Sequence, residues 1–145
     1  MVTPRIRRRQ LKGCTEVKSF THHWTCLFPQ HGAGRKHDRH IALEPWQHAL
    51  VDRYAWAFIR GCIYSDGCRV TNWTTKSVAG ERKRYEYARY FFSNRSDDIR
   101  GLFTYALDLV GAEWRILERN GAPFNVSIAR KASVALMDAH VGPKY

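Results

Sequence analysis

Ala57-Phe58-Ile59-Arg60-Gly61-Cys62-Ile63-Tyr64-Ser65-Asp66-Gly67 is an apolar helical run that stops on an acid and a glycine. At a helical turn of about 100° per residue, Ala57, Gly61 and Ser65 form one strip of small side chains. Phe58, Ile59, Cys62 and Ile63 fill the adjoining apolar sector, and Arg60 and Tyr64 share the remaining side. The apolar sector suits a core. The small strip lets a second backbone come closer than the usual separation of about 8–10 Å between helix axes. Gly67 is expected in the left-handed conformation that ends helices, which leaves Asp66 at the helix C-terminus. There the macrodipole disfavours a carboxylate by about 0.3–1 kcal/mol, so the acid calls for a cation. Two such helices meeting along their small strips would set two acids side by side, and a divalent metal with oxygen ligands would relieve both.

Outward from this run the chain reads as alternating elements. Pro45 suits a first helical position, and Trp46, Leu50 and Val51 make an apolar face before the central helix begins near Tyr54. Cys68 to Lys76, rich in β-branched and aromatic residues, reads as a strand, Val78-Ala79-Gly80-Glu81 as a turn, and Arg82 to Ser93 as a second, longer strand. In that strand Tyr85-Tyr87-Arg89-Phe91 and Arg84-Glu86-Tyr90-Phe92 both fit a core set, and the spacing leaves the choice open. Ser96 is a natural N-cap with Asp97 and Asp98 in the first turn, and Ile99 to Val110 keep helical spacing until Gly111. Glu113 to Glu118 and Phe124 to Arg130 read as strands around Asn120-Gly121, and a last helix runs from about Ala132 to Val141, stopping at Gly142-Pro143.

Before Pro45 the pattern is thinner. Residues 5 to 20 suggest two short strands around Lys12-Gly13, anchored by Val17 and Phe20, and His22 to Phe28 suggests a short helix. Pro29 to His40 is polar, glycine-bearing and basic, the composition of a linker. The expected domains are therefore residues 1–44 and 45–145.

The chain has 145 residues, a length that suits a real core. A net charge of +11 exceeds what solubility needs and points to a polyanion, nucleic acid first. No apolar run approaches the roughly 18 residues needed to span a bilayer, so a membrane is not the expected partner. The N-terminal Met1 to Arg9 lacks the apolar core of a secretory signal, and Cys14, Cys26, Cys62 and Cys68 show no paired metal spacing. The expected location is cytoplasmic, and nucleoid-associated in a bacterium.

Ile59 to Gly67 resembles the signature of the LAGLIDADG homing endonucleases in its hydrophobic positions, its first glycine and its final Asp-Gly. It departs at Arg60, where the family has alanine, and at Tyr64, where it has its first acid. The order helix, strand, strand, helix, strand, strand, helix from Pro45 is similar to one module of that family. The resemblance implies an α+β fold, an αββαββα module with a curved antiparallel sheet whose concave face rests on double-stranded DNA. Residues 1–32 echo the closing strands and helix of such a module, so they are expected to be the tail of a preceding one.

What the resemblance implies for chemistry is metal-dependent hydrolysis of DNA phosphodiesters by a homodimer, or by this module with a missing N-terminal one. The host of such a reading frame would be an intein or an intron. Asp66 would hold Mg2+ or another divalent cation, with the Ser65 or Gly67 carbonyl adding a ligand. Lys131 or Arg130 would place positive charge by the phosphate, and Arg95 would order water. Ala57, Gly61 and Ser65 would form the dimer interface. The basic and polar side chains expected on DNA are Arg69, Thr71, Trp73, Thr75, Lys76, Arg82, Lys83, Arg84 and Arg89. Two other readings stand beside this one. The first is a non-catalytic DNA-binding or transcription-regulator module with a degenerate fold of the same type. The second is a structural zinc knuckle on Cys26, His31, His37 and His40.

Overall fold

The computed structural model describes residues 5–12, 14–20 and 23–142. The expected features at Gly13, His22 and Pro143 lie outside them. The chain divides into two compact units, residues 1–34 and 35–145. The first contains an antiparallel hairpin, β1 (Arg5–Leu11) and β2 (Cys14–Phe20), and a single helical turn, α1 (Trp24–Leu27). Val17 and Phe20, the expected anchors, are exposed, as are Ile6, Trp24, Leu27 and Phe28.

The second unit begins with a 3-10 turn at Lys36–Asp38 and continues through α2 (Pro45–Arg53), α3 (Ala55–Asp66), β3 (Gly67–Val78), β4 (Glu81–Ser93), α4 (Asp97–Leu109), β5 (Arg115–Arg119), β6 (Ala122–Ile128) and α5 (Lys131–His140). Of the segment expected to be linker, the part from Arg35 to His40 belongs to this unit, and its end is anchored. The Ile41 amide donates to Asp98 Oδ2 at 2.6 Å, in the first turn of α4, and His40 Nδ1 lies 3.1 Å from the same oxygen.

The four strands form one antiparallel sheet in the order β3-β4-β6-β5, so the fold is α+β. Ala79-Gly80 and Asn120-Gly121 turn its two hairpins with positive φ at both residues, the backbone that matches the twist of paired strands. Helices cover one face. There Tyr90 and Phe92 of β4 and Val126 and Ile128 of β6 are buried with Ile59 and Ile63 of α3, Phe103 and Leu107 of α4 and Met137 of α5. Phe92 meets Phe103 with ring centroids 4.4 Å apart. This settles the parity of β4: Tyr90 and Phe92 belong to the core, and Tyr85, Tyr87, Arg89 and Phe91 to the other face.

Two local expectations are corrected. Gly67 is extended, with φ −110° and ψ 173°, and is not left-handed. A Cβ at this position would sit 2.7 Å from the Ile63 Cα and 2.8 Å from the Phe91 carbonyl oxygen, so glycine is required by close approach where the helix passes straight into the strand. On α2, Trp46 and Leu50 are exposed and only Val51 of the expected apolar face is buried. The helix starts on a capping box in which the Gln47 side chain accepts from the Glu44 amide at 2.9 Å, and Gln47 is buried with Val51 on its inner side.

Arg60 and Tyr64, the departures from the signature, have a shared role. The Arg60 guanidinium donates twice to the His140 carbonyl, through Nε at 3.1 Å and through a second nitrogen, and the Tyr64 hydroxyl donates to the Val141 carbonyl at 3.2 Å. Trp56 stacks on the His140 ring at 4.2 Å. These side chains satisfy carbonyls that the end of α5 would otherwise leave without partners, and a cation there suits the dipole. Among the described residues no helix is long and apolar enough to cross a membrane.

Candidate functional site

Asp66 closes α3 on the rim of a shallow hollow of about 250 Å³ lined also by Lys36, Asn94 and Arg95. Its Oδ2 receives Lys36 Nζ at 3.3 Å and Asn94 Nδ2 at 3.2 Å. Asn94 is buried and locked from three sides. Its Oδ1 accepts from the Ser96 amide at 3.0 Å, its own amide donates to the Phe124 carbonyl at 3.2 Å, and its carbonyl accepts from the buried Arg100 guanidinium at 2.5 Å. A polar side chain so fixed gives the neighbouring carboxylate a defined direction. One turn back, burial pushes the Cys62 thiol up to about 12, with the Asp66 charge adding to the effect, so this cysteine stays protonated at neutral pH.

Of the three basic residues expected near this acid, Arg95 lines the same hollow. Arg130 is the N-cap of α5 and pairs with Glu113 at 2.9 Å in a different cleft. Lys131 opens α5, is exposed, and is not among the residues of the Asp66 hollow. Lys36 and Asn94 take their places. Sequence reasoning missed both. Lys36 sat in what looked like a solvated linker, while Asn94 is one polar letter at the end of an aromatic strand.

The second region is the face of the four-stranded sheet opposite α3, α4 and α5. By alternation it carries Val70, Asn72, Thr74 and Lys76 of β3, Lys83, Tyr85, Tyr87, Arg89 and Phe91 of β4, and Arg115 and Leu117 of β5. Of the side chains expected on DNA, Lys76, Lys83 and Arg89 lie here. Arg69, Thr71, Trp73, Thr75, Arg82 and Arg84 have the opposite parity. Arg69 is engaged beneath the helices, where Nε donates to Asp138 Oδ1 at 2.7 Å and a second nitrogen donates to Oδ2 at 2.9 Å. The Tyr90 hydroxyl donates to Oδ1 at 2.6 Å. The Arg69 guanidinium therefore holds the Asp138 carboxyl below its usual range, while burial and the bond to Asp138 push the Tyr90 hydroxyl up. Beyond the helices the β3–β4 hairpin is exposed on both faces. Trp73 there is 58% exposed, with the Arg84 guanidinium 4.9 Å over its ring.

Ala57, Gly61 and Ser65 are exposed on α3, and a Cβ added at Gly61 would meet nothing within 4 Å. Among the described residues no group of three or more His, Cys, Asp or Glu side chains is placed to hold a metal ion. Asp66 with an ammonium on one oxygen does not by itself make a divalent site, which takes about six oxygen ligands. No protein-family model matches the chain, and no curated protein matches it.

Proposed function

We propose that this chain is a LAGLIDADG-type homing-endonuclease module that holds double-stranded DNA against the open face of its sheet and hydrolyses phosphodiesters when two such acids are brought together. The observation that carries the reading is a coincidence on α3. The exposed strip Ala57, Gly61 and Ser65 runs directly into Asp66, whose side chain is 42% exposed. An αββαββα module with a curved sheet is the fold this reading takes, supported by the element order and the antiparallel pairing.

One copy supplies one acid, so the active form is a homodimer joined along the strip, or this module beside a missing N-terminal one. Asp66 and the Gly67 carbonyl from each side would be the ligands of Mg2+ or another divalent cation, which when bound supplies Lewis-acid polarisation of the phosphoryl oxygen. The chain's own residues do the rest. Asn94 orients the Asp66 carboxylate, and Arg95 and Lys36 place positive charge where the phosphoryl oxygens gain theirs. One observation favours the non-catalytic, DNA-binding reading, namely that the Lys36 ammonium already balances Asp66.

Duplex retardation in EDTA, followed by addition of magnesium, separates the two. The nuclease reading expects binding in EDTA with steep salt dependence, then cutting, and a loss of cutting of about 10²-fold or more in Asp66→Asn with binding retained. Duplex left intact by the wild type in magnesium establishes the binding module instead. Absence of any duplex binding removes both.

A further inference from the structure

A second charged cleft lies where β4, β5 and the start of α5 meet, and the acid chemistry at Asp66 does not use it. It has a volume of about 420 Å³ and is lined by Arg89 of β4, Arg115 of β5 and Arg130 at the α5 N-cap, with the Ser127 hydroxyl-bearing side chain and a single acid, Glu113. Glu113 is already committed, its Oε2 lying 2.9 Å from Arg130 Nε. Three guanidinium groups thus face one carboxylate, and the surplus is positive.

Arg89 is the unusual member. Its guanidinium lies over two rings of its own strand, 5.3 Å from the Tyr87 centroid and 5.3 Å from that of Phe91. Its Nε is shielded from solvent and has no hydrogen-bond partner among the described residues. Arginine keeps its proton under all ordinary conditions, so the Arg89 guanidinium stays a cation with donors that no described residue has taken up. The two rings fix the plane of the fork before anything binds. Arg130, the N-cap of α5, also lines the cleft and makes no side-chain cap hydrogen bond, so its guanidinium is not spent on the helix end.

From these observations we infer that the cleft formed by Arg89, Arg115 and Arg130 is a binding site for a phosphate group. A tetrahedral oxyanion carries enough acceptor oxygens for several guanidinium forks at once, as a planar carboxylate does not. The group is either a phosphodiester of a nucleic-acid backbone or a free phosphate. The site is independent of whether Asp66 supports cutting, whereas its nucleic-acid arm rests on the proposal that the open sheet face holds DNA.

Two variants of opposite sign test it in the 145-residue chain. The Arg89 Nε–Hε resonance is followed by nitrogen-edited NMR, first during titration with inorganic phosphate against chloride at constant ionic strength, then with a short duplex of arbitrary sequence. The resonance is expected to move saturably with phosphate. Arg115→Gln should weaken phosphate by about three- to tenfold, and Glu113→Gln, which releases Arg130 and removes the opposing charge, should tighten it by a similar factor. Both side chains are exposed, so neither change threatens folding. Movement with the duplex as well identifies a backbone phosphodiester, and movement with inorganic phosphate alone identifies a free phosphate. A resonance that stays in place with both, or affinities unchanged in both variants, overturns the site.

Discussion

Arg69 and Arg89 sit beside each other on neighbouring strands, one pairing with Tyr90 and the other with Val70, yet they face opposite sides of the sheet and are treated differently. Under the helices Arg69 has two hydrogen bonds to Asp138 and an aromatic neighbour in Tyr90. On the open face Arg89 has two rings, no carboxylate and an unpartnered Nε. The difference follows from what each face must do. On the helix side the Asp138 carboxylate of α5 is within reach, and Arg69 pairs with it through two hydrogen bonds although both side chains stay partly exposed, at 29% and 38%. A charge on an open face can be kept for a ligand.

The largest test of this division uses adjacent phenylalanines. Phe92→Ala on the covered face should cost about 3–5 kcal/mol, whereas Phe91→Ala on the open face should cost about 1 kcal/mol, both read by urea unfolding. Equal losses would break the distinction between the faces. Gly67→Ala comes next, at about 1–3 kcal/mol, because the added methyl meets backbone atoms of Ile63 and Phe91 that cannot step aside.

The smallest effect concerns acid. The carboxyl of Asp138 is held below its usual range, first by the Arg69 hydrogen bond, so its contribution is present above the unfolded carboxylate value of about 3.9 and is lost as pH falls through the lower folded value. Asp138→Asn should therefore lower stability by about 1 kcal/mol at neutral pH, and that deficit should shrink below about pH 4. Thermal unfolding across this range measures it. Arg89→Met should leave the deficit's pH dependence untouched, since no carboxylate is bound to Arg89.

How far the elements were legible depended on how local their signals are. Ser96 with Asp97 and Asp98, the pairs Ala79-Gly80 and Asn120-Gly121, and the 3.6-residue spacing of Ile99 to Val110 are short-range instructions, and each element formed within a few residues of its expected bounds. Two residues, one placed by the family resemblance and one by its linker-like surroundings, were reassigned by distant partners. Arg130 left the acid's neighbourhood for Glu113, and Lys36 entered it from a segment that reads as linker.

By itself the amino-acid sequence determined the order of elements, the strong positive charge and the placement of Asp66 at the end of an apolar helix with a small-residue strip, because periodicity, caps and turns act over a few residues. Only the tertiary structure decided which parity of β4 the helices cover, which carbonyls Arg60 and Tyr64 of α3 bind, and which cations gather around Asp66. Those choices rest on contacts between segments as far apart as Arg60 and His140 or Arg69 and Asp138, whose side chains meet only after the sheet and helices have packed.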